Sequence, residues 1–252
     1  MLDIGTRYFD FRPGTMHPSL KAFAPGMRYH QHGLIPGYPY VAFLEEVLRW
    51  LDANPGEIVV VSANTQGFSS DAMKPSAADV QKDFETALAN VRLPKPIDIG
   101  DKNWLSRSYD DLIRTNTRLF FLNQIEKETT KYDSYYGPAY TTLRPEPIIR
   151  SFEAMRREFR EDEHYDYVVM QMQATAPGIS KNLVAAAVMT TSDASSPLLM
   201  TKPVMDAATN PWLRTNAANR LPPEHLLVLL NDFVDNCMVE TAIQVTEQRA
   251  RN

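Results

Sequence analysis

Apolar and polar residues follow two rhythms along this chain, one with the period of a helix and one with that of a strand. Leu44, Val47, Leu48 and Leu51 fall at i, i+3, i+4 and i+7, the stripe of an amphipathic helix that Asn54-Pro55-Gly56 closes. Residues 58–62 (IVVVS) come next, a short unbroken apolar run that reads as a strand covered on both faces. Ser76 then stands where a helix N-cap needs an oxygen, ahead of a second stripe of Val80, Phe84, Leu88 and Val91. Residues 1–11 read as a strand through Ile4, Tyr8, Phe9 and Phe11, with Pro13-Gly14 ending the run. The second half repeats the alternation. Residues 119–122 (LFFL), 167–172 (YVVMQM) and 226–230 (LLVLL) read as strands. Ile148, Phe152, Met155 and Phe159 form a helical stripe, and a closing helix from Asp235 to Arg249 is expected to bury Cys237, Val239, Ala242 and Ile243.

Strands alternating with helices imply βα units and a mainly parallel sheet. The five legible strands and the length of 252 residues suit one α/β domain over 1–252, a distorted or incomplete TIM (β/α)8-type barrel. Two polar stretches, 101–116 and 124–143, carry no usable period, and the second reads as a functional loop.

Composition narrows the function classes. A formal charge of −5 argues against a nucleic-acid partner, which selects for a basic face. No apolar run is long enough to span a membrane, and the first residues (MLDIGTRYFDF) lack the basic, apolar and small-residue segments of a signal peptide. Cys237 is the single cysteine, so no internal disulfide forms.

In parallel α/β folds the working residues gather at the C-terminal ends of strands. That rule selects Asp10 and Arg12 on one side of the first strand, then the histidines of Tyr29-His30-Gln31-His32-Gly33. Asn64, Asn123, Gln173, Asn231 and Asp232 follow the later strands. Arginine matches a phosphate with its planar fork, and histidine can protonate a leaving alkoxide near neutral pH. The residues alone point to phosphate-ester chemistry and no further.

A resemblance sharpens this. Residues 5–12 (GTRYFDFR) resemble the G-x-R-x-x-D-x-R segment of the phosphatidylinositol-specific phospholipase C-like phosphodiesterases, a TIM-barrel family. His32-Gly33-Leu34 is similar to that family's second-histidine H-G motif, and residues 43–62 to its helix, N-P-x-E turn and strand. Residues 104–123 are similar to a later helix and strand, and Asn231-Asp232-Phe233-Val234 to the end of the last strand. The resemblance implies His32 as general acid to the diacylglycerol leaving oxygen and Arg12 as phosphate ligand. It further implies Asp10 as the group that orients them and Asp232 as holder of the first histidine. Asn64, Asn123, Gln173 and Tyr135 become candidate substrate contacts, Tyr135 within a tyrosine group (132, 135, 136, 140) that suits an inositol wall, an interfacial patch or core packing equally.

The family's first histidine, its general base, lies in a G-T-H-D-type motif upstream of the segment matched by Gly5, and residues 1–252 contain no such motif. The expectation is therefore a chain lacking the first strand, with secretion implied only if a leader precedes residue 1. Arg12 and Asn64 stand where metal-binding members carry acids, so neither metal nor organic cofactor is implied. The implied partner is a phospholipid headgroup or a membrane surface met transiently. Two alternatives stand beside cleavage of phosphatidylinositol-type lipids: a non-catalytic barrel that binds a phosphorylated headgroup, and a metal-dependent glycerophosphodiesterase-like enzyme. His30 reads as a packed histidine, His164 as solvated and His225 as a loop residue.

Overall fold

The computed structural model describes residues 1–23, 26–32, 35–126, 132–133, 143–162, 166–174, 197–220 and 226–251. They fall into two compact units, Arg7–Thr130 with Leu2, and Lys131–Asn252 with Met1 and Asp3–Thr6.

The first unit is built on a parallel sheet of β1 (Tyr8–Phe11), β5 (Val59–Ala63), β7 (Thr117–Asn123) and β6 (Asp98–Gly100), in that spatial order. Asp10 lies opposite Ser62, and Ala63 opposite Asn123, so these strands end at one edge. All five residues of β5 are buried, as its unbroken apolar run requires. Helix α1 (Tyr40–Ala53) buries Leu44, Val47, Leu48 and Leu51, the stripe its spacing predicts. Helix α2 (Ala77–Val91) starts at Ser76, whose hydroxyl accepts the Asp79 N–H while Asp79 bonds back to the Ser76 N–H, a reciprocal capping box. Val80 and Phe84 face the core from α2, and each such buried side chain contributes about 1.5–3 kcal/mol. A short helix α3 (Tyr109–Thr115), capped by Ser108, occupies part of the polar stretch that has no readable period.

Two details tie β1 and β7 to the turn between α1 and β5. Arg7 pairs with Glu57 at 2.7 Å and lies over the Trp50 ring at 4.4 Å. Arg118, nearly buried, donates through Nη1 to the carbonyls of Leu51 and Asn54, the open end of α1.

Pro13-Gly14 does not end the strand run. It forms β2 (Pro13–Gly14), which pairs antiparallel with β3 (Tyr29–His32), itself paired with β4 (Ile35–Pro39). Proline is tolerated there because β2 is the edge of this ribbon.

The second unit carries a parallel sheet ordered β10 (Leu226–Leu230), β9 (Tyr167–Gln171), β8 (Tyr132–Asp133). Helices α4 (Pro145–Asp162), α5 (Pro197–Arg220) and α6 (Asn236–Ala250) accompany it. Ile148 and Phe152 of α4 pack with Val168, Met170 and Met172, and with Met205, Leu213 and Ala217 of α5.

Helix α6 turns a different face inward from the one expected. Met238, Thr241 and Val245 are buried, whereas Cys237 and Ile243 are exposed and Val239 and Ala242 only partly covered. Thr241 can take a core position because its hydroxyl donates to the Cys237 carbonyl at 2.9 Å and accepts from Arg214 Nε at 2.9 Å. Helix α5 escaped the pattern reading altogether. Its inward row is Met205, Thr209, Leu213 and Ala217, interrupted by a polar residue, and Pro203 and Pro211 sit inside it. Thr209 is satisfied locally, its hydroxyl donating to the Met205 carbonyl at 2.9 Å.

Candidate active site

Asp10 and Arg12 stand two residues apart where β1 ends, and the strand period puts both on one side. Arg12 donates to Asp10 Oδ2 through Nη2 at 2.9 Å and Nε at 3.3 Å. Asn64, the first residue after β5, donates through its side-chain amide to Asp10 Oδ1. Its own Oδ1 accepts the Gln66 N–H at 3.0 Å, and the Gln66 carbonyl accepts Arg12 Nη1–H at 3.2 Å. The bonds close a ring through Asp10, Arg12, Gln66 and Asn64. The ion pair within it is four-fifths covered on both sides, which screens it less than a surface pair.

The antiparallel ribbon supplies the histidines. Alternation along β3 sends Gln31 inward, where it is fully buried and donates to the carbonyls of Gly14 and Thr15 at 3.4 and 3.2 Å. His30 and His32 take the other side. His32 is exposed, and its imidazole reaches the loop after β5. Gly67 is the meeting point: a Cβ built there would lie 2.9 Å from Arg12 Nη1, 2.9 Å from His32 Cδ2 and 3.3 Å from His32 Nε2. Gly67 also adopts φ +76°, which side chains other than glycine rarely allow. A guanidinium and an imidazole therefore flank one glycine.

His30 is mostly covered. Its Nδ1 accepts the Arg12 backbone N–H at 3.3 Å, and its ring meets Phe11 edge-on at 5.1 Å. Burial pulls its pKa down, Asp10 pulls it up, and Arg12 and His32 pull it further down; the net shift is downward.

The remaining candidates lie elsewhere. Asn123 ends β7, but its amide donates to the Ala77 carbonyl at 3.1 Å and its Oδ1 accepts the Ile125 N–H at 3.2 Å. It thus ties the strand end to the start of α2. Gln173 and Asp232 belong to the second unit, where they line a small pocket with Lys202 and Asn231 beyond the ends of β9 and β10. Lys202 pairs there with Asp206 and, at 2.8 Å, with Asp235. Burial works against its charge, but the bonds to Asp206 and Asp235 more than offset that and raise its pKa. Asn231 donates to Asp206 Oδ1 at 3.1 Å. Tyr135, His164 and His225 lie outside the described residues. Among the described residues no three His, Cys, Asp or Glu side chains converge as a metal site would require.

Pattern reading did not find Gln66 and Gly67. Asn64-Thr65-Gln66-Gly67 has the form of an Asx turn followed by a left-handed glycine, and that turn chemistry was the available signal.

No family model matches this chain, and no curated protein does. Solved structures match over nearly its whole length. A mutant of the phosphatidylinositol-specific phospholipase C from Staphylococcus aureus aligns with TM-score 0.55 at 12% identity, covering 96% of this chain and 79% of that one. The phosphatidylinositol-specific phospholipase C from Listeria monocytogenes aligns with TM-score 0.52 at 11% identity, covering 98% and 80%. By this likeness the chain has the α/β, TIM-barrel-type fold of the phosphatidylinositol-specific phospholipases C.

Proposed function

We propose that this site binds the phosphodiester of phosphatidylinositol-type phospholipids and cleaves it by general acid–base chemistry without a metal. The observation that carries the reading is the state of Arg12. A guanidinium has five N–H donors, and among the described residues three are engaged, two with Asp10 and one with the Gln66 carbonyl. Nη1 and Nη2 keep one N–H each, and Nη1 lies with His32 against Gly67 in a fixed frame, which supports binding of a phosphoryl group.

On this reading Arg12 takes the non-bridging oxygens and stabilises their developing charge. Asp10 and Asn64 fix the plane of the guanidinium. The inositol 2-hydroxyl attacks phosphorus, the bond to the glycerol oxygen breaks, and His32 gives that oxygen a proton. Both Asp10 carboxylate oxygens face protein donors, Arg12 and Asn64, which supports charge compensation by guanidinium rather than by a metal ion. The proton of the attacking hydroxyl goes, in the pattern this chain resembles, to the histidine of a G-T-H-D motif, which residues 1–252 do not contain. In a second reading the same cluster binds a phosphorylated headgroup without turning it over, since the bonded ring around Arg12 supports binding and holds no base aimed at a hydroxyl. The partner in either case is a phospholipid surface met transiently; no described helix is long and apolar enough to cross a membrane.

The test is incubation with phosphatidylinositol vesicles in EDTA, following inositol cyclic phosphate by phosphorus NMR and vesicle binding by sedimentation. Product that disappears in His32→Ala supports cleavage. Binding without product, lost in Arg12→Ala, supports the second reading. Neither product nor Arg12-dependent binding rejects both.

A further inference from the structure

Arg12 occupies the one position where the chain leaves the parallel sheet for the antiparallel ribbon. Phe11 is still paired with Ala63 of β5, and Pro13 is already paired with His30 of β3. The Arg12 carbonyl finds a ladder partner, the Gln31 N–H at 2.9 Å, but its N–H bonds to a side chain, Nδ1 of His30. We infer that His30 is a positioning residue: its neutral imidazole anchors the backbone from which the Arg12 guanidinium projects, and protonation releases that anchor. The inference rests on Arg12 being the phosphate ligand.

Three observations support it. First, only an unprotonated ring nitrogen can accept an N–H, so the contact needs neutral His30 with its proton on Nε2. Second, the ring is held in place. It stands edge-on to Phe11, which stacks on Phe43 at 4.6 Å, and β4 passes close because Gly37 has no side chain there: a Cβ would meet His30 Cβ at 3.3 Å. Third, the surrounding charges make protonation consequential. Asp10 of β1 favours it, while Arg12 and His32 oppose it; Tyr38 of β4 is turned to Glu46, and Tyr40 of α1 packs on Phe11. A protonated ring would set an N–H against the Arg12 N–H and a second positive charge beside the Arg12 guanidinium. The downward shift of the His30 pKa keeps the anchor intact at neutral pH and places its release on the acid side of an ordinary histidine.

The probe is glycerophosphoinositol, whose phosphodiester charge stays constant over the range in which histidine titrates. His30→Asn retains an acceptor at the position of Nδ1 and cannot titrate; His30→Phe keeps a ring against Phe11 and removes the acceptor. At neutral pH, calorimetry should show His30→Asn within about 2-fold of the wild type and His30→Phe weakened by roughly 2- to 10-fold, one lost hydrogen bond. Toward acid the wild type should lose affinity relative to His30→Asn. Independently of any ligand, the Arg12 amide NMR signal should titrate with His30 in the wild type and stay flat in His30→Asn. Equal affinity of His30→Phe and wild type overturns the inference, as do identical pH profiles of wild type and His30→Asn or an Arg12 amide that does not titrate. If Arg12→Ala binds the probe as the wild type does, the phosphate reading falls, and the amide titration still decides the role of His30.

Discussion

Replacing Gly67 by alanine perturbs Arg12 and His32 at once without touching either. The added methyl would lie 2.9 Å from both Arg12 Nη1 and His32 Cδ2, well inside ordinary contact distance, so both side chains must give way by about half an ångström. The left-handed backbone adds roughly 1–2 kcal/mol for alanine. Together the two effects should lower stability by about 1–3 kcal/mol, seen as a lower midpoint in urea with an unchanged slope. Affinity for a phosphodiester should fall further than stability, by about 10- to 100-fold, because the guanidinium and imidazole are displaced from a shared geometry. Gly67→Asn separates the two causes, since asparagine tolerates the left-handed region yet carries a Cβ. It should regain stability relative to alanine and recover no affinity. An alanine variant that binds and unfolds as the wild type does would refute the claim that Gly67 sets the spacing of the pair.

Other perturbations follow from the same contacts. Leu48→Ala, at a fully buried position of α1, should cost about 2–5 kcal/mol by chemical denaturation, while Ile243→Ala on the exposed face of α6 should stay within about 0.5 kcal/mol. Arg118→Met removes one of the two donors at each of the Leu51 and Asn54 carbonyls, which keep the Asn54 and Glu57 N–H groups, and should cost about 0.5–1.5 kcal/mol, with α1 fraying first in hydrogen exchange. Asp235 has its pKa held down by Lys202 and by the Met238 N–H it caps. Its folded value being the lower one, its contribution is present above the ordinary carboxylate value and is lost as pH falls through the folded pKa. An acid titration of stability should therefore show a smaller slope for Asp235→Asn than for the wild type.

The parts of this fold that could be read in advance are those where burial and period agree. Strand β5 is apolar throughout and buried throughout, and α1 and α2 carry uninterrupted stripes. Helix α5 stayed hidden because Thr209 satisfies its hydroxyl within the helix and so occupies a core position that polarity argues against. The inward face of α6 was misjudged for the same reason at Thr241, whose partner Arg214 is 27 residues away. In the site, Asp10, Arg12 and His32 were legible from strand ends and from resemblance. The Gln66 carbonyl was not, because a backbone acceptor leaves no mark in side-chain chemistry. Nor could spacing show that the Asn123 amide would be committed to the Ala77 carbonyl.

The ring through Asp10, Arg12, Gln66 and Asn64 also sets which substitutions this sequence can absorb. Position 66 contributes only main-chain atoms, and Gln66 is exposed, so its side chain is free to drift. Position 64 has no such latitude. It must donate to Asp10 and accept from the Gln66 N–H, and of the common side chains of that length only an amide does both. Aspartate there would set two carboxylates face to face around one guanidinium, the beginnings of a hard-cation site. On the proposed reading, a single nitrogen on Asn64 thus separates a cluster that receives an anion from one inclined to attract a metal.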